Sequence, residues 1–283
     1  MLEKMTEVDI DGIISKESEL RGDSRLIIIL GSPEGIKSIS KKLSSLQGVN
    51  RIRKGLFIVH GYSEMHDMIL QSQPVTSFIK TREIPTSRMK SEDVNSNRVY
   101  SVVAFSFNSP TARQKKHVER LIRKTTGIRL RPGVVLFPLL RSKERRRILG
   151  SEDEKVLIDS TEFSRLVRAN GGNAFRWSRL RIINLNGVDH VQHAVEKTLS
   201  RDLAPLEEKI RALRERCKDS TISITLLKKN YTALSRRFRK LKTKWMLAKK
   251  LWFYDAERAL KRTYNMLINT RRTIVLEESR RTG

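Results

Sequence analysis

The apolar and polar positions between residues 98 and 147 predict a strand, a helix and a second strand in turn. Residues 99–107 form an apolar run rich in β-branched side chains, which is typical of a strand. Ser109 and Pro110 follow, and they suit the N-cap and the first turn of a helix. Apolar residues then recur at helical spacing, and residues 128–140 return to an extended pattern.

The same succession of elements occurs earlier, over residues 25–60. The closing segments of the two stretches match, since residues 51–59 and 129–137 both read R-x-R-x-G followed by four apolar residues. We interpret the match as an internal duplication, because the two arginines and the glycine recur in order. Two unrelated units that share their turn chemistry are the alternative.

Further elements extend both stretches, to six each if the two ends of each closing segment, such as Arg51 and Phe57, lie on separate strands. A second helix at 63–71, with its methionines facing inward, and a fourth strand at 75–84 follow the first stretch. A helix at 161–170 and a closing strand at 179–185 follow the second. The order β-α-β-β-α-β is the ferredoxin-like pattern. We therefore predict an α+β protein with two tandem ferredoxin-like βαββαβ domains.

The last third of the chain follows one long heptad repeat. Apolar residues alternate at steps of four and three from Leu199 to Trp252, which is typical of a coiled-coil seam. Residues 218–221 have poor helix propensity and could bend the chain into a hairpin. Because the heptad register continues through them, we favour one continuous helix. We expect it to begin near Asp202, since Pro205 is tolerated only in a first turn.

These elements divide the chain into five segments. The first is rich in acidic residues and the third is polar and turn-rich. The segments are an acidic N-terminal lead-in (1–24), a first ferredoxin-like domain (25–84), a linker (85–97), a second ferredoxin-like domain (98–187) and a long, basic, coiled-coil-forming helical region (188–283).

Charge changes this picture more than any other property. Lysine and arginine number 58 against 31 aspartate and glutamate, a formal net charge of +27. Such a balance points to a polyanionic partner, first nucleic acid and second an anionic membrane surface. Cys217 is the only cysteine, which fits a reducing compartment. No apolar run reaches membrane-spanning length, so we expect no membrane span and a cytoplasmic or nucleoid-associated protein.

Two basic sets are candidates for phosphate binding. The first follows the helix of the second stretch: Arg113, Lys115, Lys116, Arg120, Arg123 and Lys124. The second lies between residues 228 and 250, where no acid occurs: Lys228, Lys229, Arg236, Arg237, Arg239, Lys240, Lys242 and Lys244. Like charges crowded on a helix reduce its stability unless an anion relieves them. A phosphate backbone supplies that anion and releases its counterions on binding.

The heptad seam is a candidate for binding a partner chain. Its residues in this part of the chain are Leu227, Leu234, Phe238, Leu241, Trp245 and Trp252. An isolated amphipathic helix leaves such a stripe exposed to water. We therefore expect a homo-oligomer or a hetero-complex formed through the C-terminal helix. An assembly subunit that docks on another protein through this seam is the first alternative function.

Catalysis finds little support in the sequence. There is no nucleophile-and-base motif and no pair of carboxylates at a strand end. His190 and His193 lie one helical turn apart, but no further histidine or cysteine is placed to complete a metal site. We predict no enzymatic activity, no cofactor and no metal.

Residues 99–140 also resemble a known family. The segment Pro110-Thr111-Ala112-Arg113 after a strand, and a basic helix before a second strand, resemble the ferredoxin-like module of bacterial chromate-resistance regulators and phenylacetate-type repressors. That module is related to the small CRISPR-associated nuclease fold. The resemblance implies a metal-binding aspartate at the end of the first strand in the nuclease branch, where residues 106–108 here read Ser-Phe-Asn. A metal-dependent nuclease of that line is therefore only the second alternative.

The patterns together predict a non-catalytic nucleic-acid-binding protein. It would act through phosphate contacts, as a structural or regulatory subunit of a larger assembly. The sequence has no helix-turn-helix, zinc finger or aromatic RNA-binding signature, so it does not support sequence-specific readout. The choice between DNA and RNA stays open.

Overall fold

The computed structural model describes residues 20, 22–70, 74–82, 98–139, 157–252 and 254–282. The chain divides into an N-terminal unit, residues 1–192, and a C-terminal unit, residues 193–283. The predicted linker 85–97 lies outside the described residues, as does the predicted lead-in 1–24 apart from residues 20 and 22–24.

The N-terminal unit contains two successive sets of six elements. The first set is β1 (Arg25–Ile29), α1 (Pro33–Ser44), β2 (Val49–Arg53), β3 (Leu56–Val59), α2 (Glu64–Leu70) and β4 (Val75–Lys80). The second set is β5 (Tyr100–Ser106), α3 (Ala112–Arg123), β6 (Ile128–Arg131), β7 (Val134–Pro138), α4 (Ser160–Ala169) and β8 (Asn173–Ile182). Each set therefore has the order βαββαβ.

All eight strands form one antiparallel sheet. Their order is β2-β3-β1-β4-β8-β5-β7-β6. From the centre outwards, each half consists of the fourth, first, third and second strand of its own set. Strands β4 and β8 join the halves, and Phe78 pairs with Ile182 across this junction. The predicted α+β class is confirmed.

Two helices pack against the sheet in each half. In the first half Ile36 and Leu43 of α1 form a buried cluster with Ile27 of β1. In the second half residues of α3 and α4 form the equivalent cluster, in which Phe163 is completely buried. Side chains on the opposite face of the strands, such as Leu26, are also completely buried. Both faces of the sheet are therefore covered.

Side-chain caps decide where the helices begin. Ser32 caps α1 by accepting a hydrogen bond from the Gly35 N–H, and Pro33 occupies the first turn. The start of α3 differs from the prediction, because the cap is Thr111 and not Ser109. Thr111 and Gln114 form a reciprocal capping box, which satisfies two backbone donors at once.

Three further predictions for the N-terminal unit are wrong in detail. Met65 and Met68 of α2 are 64% and 78% exposed, and the residue that the helix buries with Leu70 is His66. Strand β8 begins at Asn173 and not at residue 179. That predicted strand was to end at residue 185, but β8 ends at Ile182 and a helix begins at Leu185.

Three helices replace the predicted single C-terminal helix. They are α5 (Leu185–Arg216), which begins in the N-terminal unit, α6 (Ile224–Trp252) and α7 (Glu257–Thr282). Asp219 interrupts the helical conformation between α5 and α6, because its carboxylate accepts hydrogen bonds from the backbone N–H and the hydroxyl of Thr221. Such local side-chain bonds compete with the helix. Pro205 lies inside α5.

The three helices pack together in the C-terminal unit. Lys228 near the start of α6 contacts Glu278 near the end of α7, and Lys249 near the end of α6 contacts Glu257 at the start of α7. The two helices are therefore antiparallel. No helix in the described part of the chain is long and apolar enough to cross a membrane.

Candidate nucleic-acid interface

Helix α3 presents a continuous basic surface. Its apolar residues Val118, Leu121 and Ile122 are buried against the sheet, so the polar residues between them point outwards. All six cations predicted on this helix are exposed: Arg113, Lys115, Lys116, Arg120, Arg123 and Lys124. We call these six residues the α3 basic face.

Carboxylates do not neutralise the α3 basic face within the described residues. Glu119 is the only acid between residues 112 and 124, and it is engaged by Arg129 of β6 at 2.6 Å. None of the six cations forms an ion pair with a described carboxylate. Among the described residues, no carboxylate competes with an external anion for these six cations.

The basic residues of α6 separate into available and engaged groups. Lys229, Arg236, Arg239, Lys240 and Lys242 are exposed, and Arg237 is half-buried. Lys228 is also exposed but contacts Glu278 at 2.5 Å. The absence of acids in α6 is thus partly compensated by carboxylates from neighbouring helices, which sequence spacing did not indicate.

Lys244 does not belong to the predicted phosphate-binding set. Its side chain is buried, and its Nζ donates to Asp202 Oδ2 of α5 at 2.8 Å. A buried and paired ammonium group has no exposed surface to offer to a phosphate. The spacing of residues around Lys244 could not reveal this pair, because Asp202 lies 42 residues away in the chain.

The residues predicted to bind a partner form the interior of the C-terminal unit. Five of them are buried, namely Leu227, Leu234, Phe238, Trp245 and Trp252. Leu241 is half-buried. The chain covers this seam with its own helices, so a contact with another chain through it stays a prediction that requires the helices to separate.

A cleft between α6 and α7 was not indicated by the sequence. Its volume is about 460 Å³. Four of its lining residues are buried: Phe238, Trp245, Ala256 and Leu260. Six are exposed: Lys242, Met246, Lys249, Glu257, Lys261 and Tyr264. Only the antiparallel packing of the two helices brings these residues together, so no local pattern could reveal the cleft.

Aromatic and polar contacts organise this cleft. The ring of Tyr264 stacks on Phe238, with a centroid distance of 6.0 Å. Trp245 is 1% exposed, and its Nε1 has no hydrogen-bond partner in the described part of the structure. Lys249 contacts Glu257 at 3.3 Å.

A second polar cluster lies at the N-terminal edge of β1. The Arg25 guanidinium lies 3.3 Å from the centre of the Tyr62 ring, and the Tyr62 hydroxyl donates to Asp67 at 2.7 Å. Burial, and then the bond to Asp67, raises the pKa of Tyr62. His66 stacks on Tyr62, and its Nδ1 accepts from the Ser63 N–H.

The cluster does not assemble a recognisable catalytic site. The contact of Ser63 with His66 caps the short helix α2, and burial lowers the pKa of His66. Among the described residues, no three histidine, cysteine, aspartate or glutamate side chains are grouped so that they could hold a metal ion. The predicted absence of catalysis stays a prediction.

Known proteins give no further guide to the site. No family model, curated protein or solved structure matches this chain. The resemblance of residues 99–140 to the chromate-resistance and phenylacetate-type regulators therefore stays an expectation from the sequence. Three features of the described residues bear on function: the α3 basic face, the exposed cations of α6 and the cleft beside them.

Proposed function

We propose that this protein binds nucleic acid without catalysis, as a structural or regulatory subunit that contacts phosphates. The observation that carries the proposal is the α3 basic face, whose six cations are exposed and lack ion pairs with described carboxylates. A phosphate backbone neutralises such a surface, and the counterions that it releases make binding favourable and dependent on salt.

The equivalent helix of the first half shows that this charge is not a requirement of the fold. Helix α1 also packs on the sheet, yet its three lysines and one glutamate leave a net charge of +2. Residues 112–124 carry six cations and one acid, a net charge of +5. The excess on α3 therefore favours a role in binding over a role in folding.

The strand order supports the inference that each βαββαβ set is a ferredoxin-like domain. In both sets the first strand lies between the third and the fourth, and the second is outermost. The shared order and the shared R-x-R-x-G segment favour duplication over two unrelated units. In this arrangement both helices of each set pack on the same face of the sheet, which leaves the outer side of α3 accessible to a ligand.

Charge reversal on the two equivalent helices tests the proposal. Arg113→Glu, Lys116→Glu and Arg120→Glu together should weaken the binding of duplex and single-stranded DNA and RNA. The effect should be similar for all sequences, because phosphate contacts carry no sequence information. Each lost contact should also reduce the dependence of log affinity on log salt by about 0.9 for a duplex. Fluorescence anisotropy over a range of salt concentrations measures both quantities.

The matched control is Lys37→Glu, Lys41→Glu and Lys42→Glu on α1. These lysines are exposed, and the substitution changes the net charge by the same amount. We expect this variant to bind nearly as well as the parent protein, with an unchanged salt slope. Equal losses of affinity in the two variants would mean that overall charge alone causes the effect, and they would contradict a site on α3.

The non-catalytic part of the proposal has a separate test. The sequence places no aspartate at the end of β5, where residues 106–108 are Ser, Phe and Asn. We expect the purified protein to leave labelled DNA and RNA intact in magnesium or manganese. Cleavage that copurifies with the chain and disappears after a point substitution in it would contradict the proposal.

A further inference from the structure

We propose that the cleft between α6 and α7 binds one unpaired nucleotide, with its base against Tyr264 and its phosphate near Lys242 and Lys261. The inference rests on the proposed function and makes it more specific, because a nucleotide can enter the cleft only when its base is not paired. A free nucleotide has the same chemistry, and the experiment below separates it from a nucleotide within a strand.

The size and shape of the cleft fit a nucleotide. Its volume of about 460 Å³ is within the usual range for small-molecule sites. Tyr264 is 50% exposed, and Phe238 supports one side of its ring. Such a ring is restrained and still accessible, which is the arrangement on which bases stack in single-strand-binding proteins.

The charge of the cleft selects an anion. Three lysines and one glutamate line it, which leaves a net charge of +2. Glu257 pairs with Lys249, and within the described residues Lys242 and Lys261 have no carboxylate partner. A ligand that carries both an aromatic ring and a phosphate matches the aromatic wall and these two exposed ammonium groups.

Trp245 provides an independent observation. Its indole N–H is a donor only, and it is buried without a partner among the described residues. An unpaired buried donor is unfavourable and requires an explanation. Purely aliphatic ligands could not satisfy it. Trp245 lines the cleft, and a nucleobase carries carbonyl and ring-nitrogen acceptors that can bind this N–H once the side chains enclosing it move aside.

The test compares three labelled ligands on the full-length protein: a single strand, an abasic strand of the same length and charge, and the duplex. The parent protein should bind the single strand at least about fivefold more tightly than the abasic strand, the lower end of what stacking on one aromatic side chain contributes. Met246→Glu should abolish that preference, because it places a carboxylate beside the base and phosphate positions. It should change duplex binding no more than the control Leu226→Glu does, because both substitutions add one negative charge to α6.

Leu226→Glu is the matched control. Leu226 lies on the same helix and is 47% exposed, against 57% for Met246, but it does not line the cleft. This variant should retain the preference for bases. Tyr264→Leu serves as a second variant, which removes the stacking ring while keeping an apolar side chain. Thermal unfolding midpoints show whether each variant is folded.

Adenosine monophosphate identifies the source of the nucleotide. Competition by it with the single strand, lost in Met246→Glu, would assign the cleft to free nucleotides as well as strands. Equal binding of the single and abasic strands by the parent protein, or equal behaviour of the Met246 and Leu226 variants, would overturn the inference. In that case the α3 charge reversal still decides the proposed function, since it weakens duplex binding independently of the cleft.

Discussion

Arg53 and Arg131 hold equivalent positions in the two halves of the sheet, and each reaches to the other half. The Nη1 of Arg131 donates to the carbonyl oxygens of Ile29 at 2.8 Å and of Gly55 at 3.0 Å. The Nη1 of Arg53 donates to the carbonyl oxygen of Phe105, at the matching strand end of the second half. Burial lowers the pKa of both guanidinium groups, and the charge of Arg53 lowers that of Arg131 further.

This exchange explains the repeated R-x-R-x-G segment. Each glycine lies in the β-hairpin that follows its arginine, and the arginine of the opposite half approaches that hairpin. Strands β1 and β5 are not neighbours in the sheet, so the sheet must curve to bring these groups together. The two copies of the segment therefore link the two halves of the sheet. The repeat by itself would suggest two independent domains.

Removing one of these arginines should destabilise the N-terminal unit. Hydrogen bonds to charged groups contribute about 1.5–3 kcal/mol each, so Arg131→Ala should lower the free energy of unfolding by at least that amount. Arg51→Ala is the control, because Arg51 lies two residues before Arg53 on β2 and its side chain is exposed. Urea unfolding monitored by fluorescence compares them. A shift for Arg131→Ala no larger than that for Arg51→Ala would contradict the role of the bridge.

Glycine at position 133 should be required for two reasons. Its φ of +75° is unfavourable for other residues by about 1–2 kcal/mol. A Cβ there would also lie 2.7 Å from Arg53 Nη1 and 2.8 Å from the Phe105 carbonyl oxygen. Gly61 has a φ of +61° with open space around it, so Gly61→Ala introduces only the unfavourable backbone conformation and no steric clash. We expect Gly133→Ala to lower the thermal midpoint more than Gly61→Ala, and equal shifts would exclude the close approach.

The ion pair of Lys244 with Asp202 should matter for stability and not for binding. Removing one partner of a buried pair leaves an uncompensated charge and costs about 3–5 kcal/mol, so Asp202→Ala should be strongly destabilising. The double variant Asp202→Ala, Lys244→Met should recover most of that loss. Denaturant unfolding measures both effects.

Nucleic-acid affinity provides the second measurement on this pair. Lys244→Met in the double variant should leave affinity unchanged, because the ammonium group is buried. Arg236→Glu and Arg239→Glu, on exposed positions of the same helix, should lower affinity. Loss of affinity in the double variant, with the fold intact, would return Lys244 to the phosphate-binding set.

His66 should make the stability of the N-terminal unit depend on pH. Burial lowers its pKa in the folded protein, Asp67 opposes that effect, and Arg25 adds to it. The unfolded chain therefore takes up a proton first as the pH falls below about 6.5, and stability decreases until the folded pKa is passed. His66→Asn keeps an acceptor for the Ser63 N–H and cannot titrate. The variant should reduce the dependence of the unfolding free energy on pH between pH 5 and 7, as measured by urea unfolding. An unchanged slope would mean that other groups cause this dependence.

The sequence by itself determined the class, most of the elements and the repeat in the N-terminal unit. Apolar periodicity located the helix that carries the α3 basic face, because an amphipathic pattern depends only on neighbours three or four residues apart. The repeated R-x-R-x-G segment also identified Gly55 and Gly133, which the structure places in turns between strands. The sequence predicted Ser109 as the N-cap of α3, whereas Thr111, two residues later, is the cap.

Only the tertiary structure decided which charged and aromatic groups meet. The sequence predicts that Lys244 is another exposed cation. In the structure its ammonium group contacts Asp202, which lies 42 residues away in the chain. The sequence predicts that the heptad seam is exposed, but the chain bends near Asp219 and its own helices cover the seam. The repeat did not reveal this bend, because a chain can reverse its direction and keep the same heptad phase. The cleft that holds Tyr264 exists only between two packed helices. Contacts of this kind depend on three-dimensional packing, which a one-dimensional pattern does not contain.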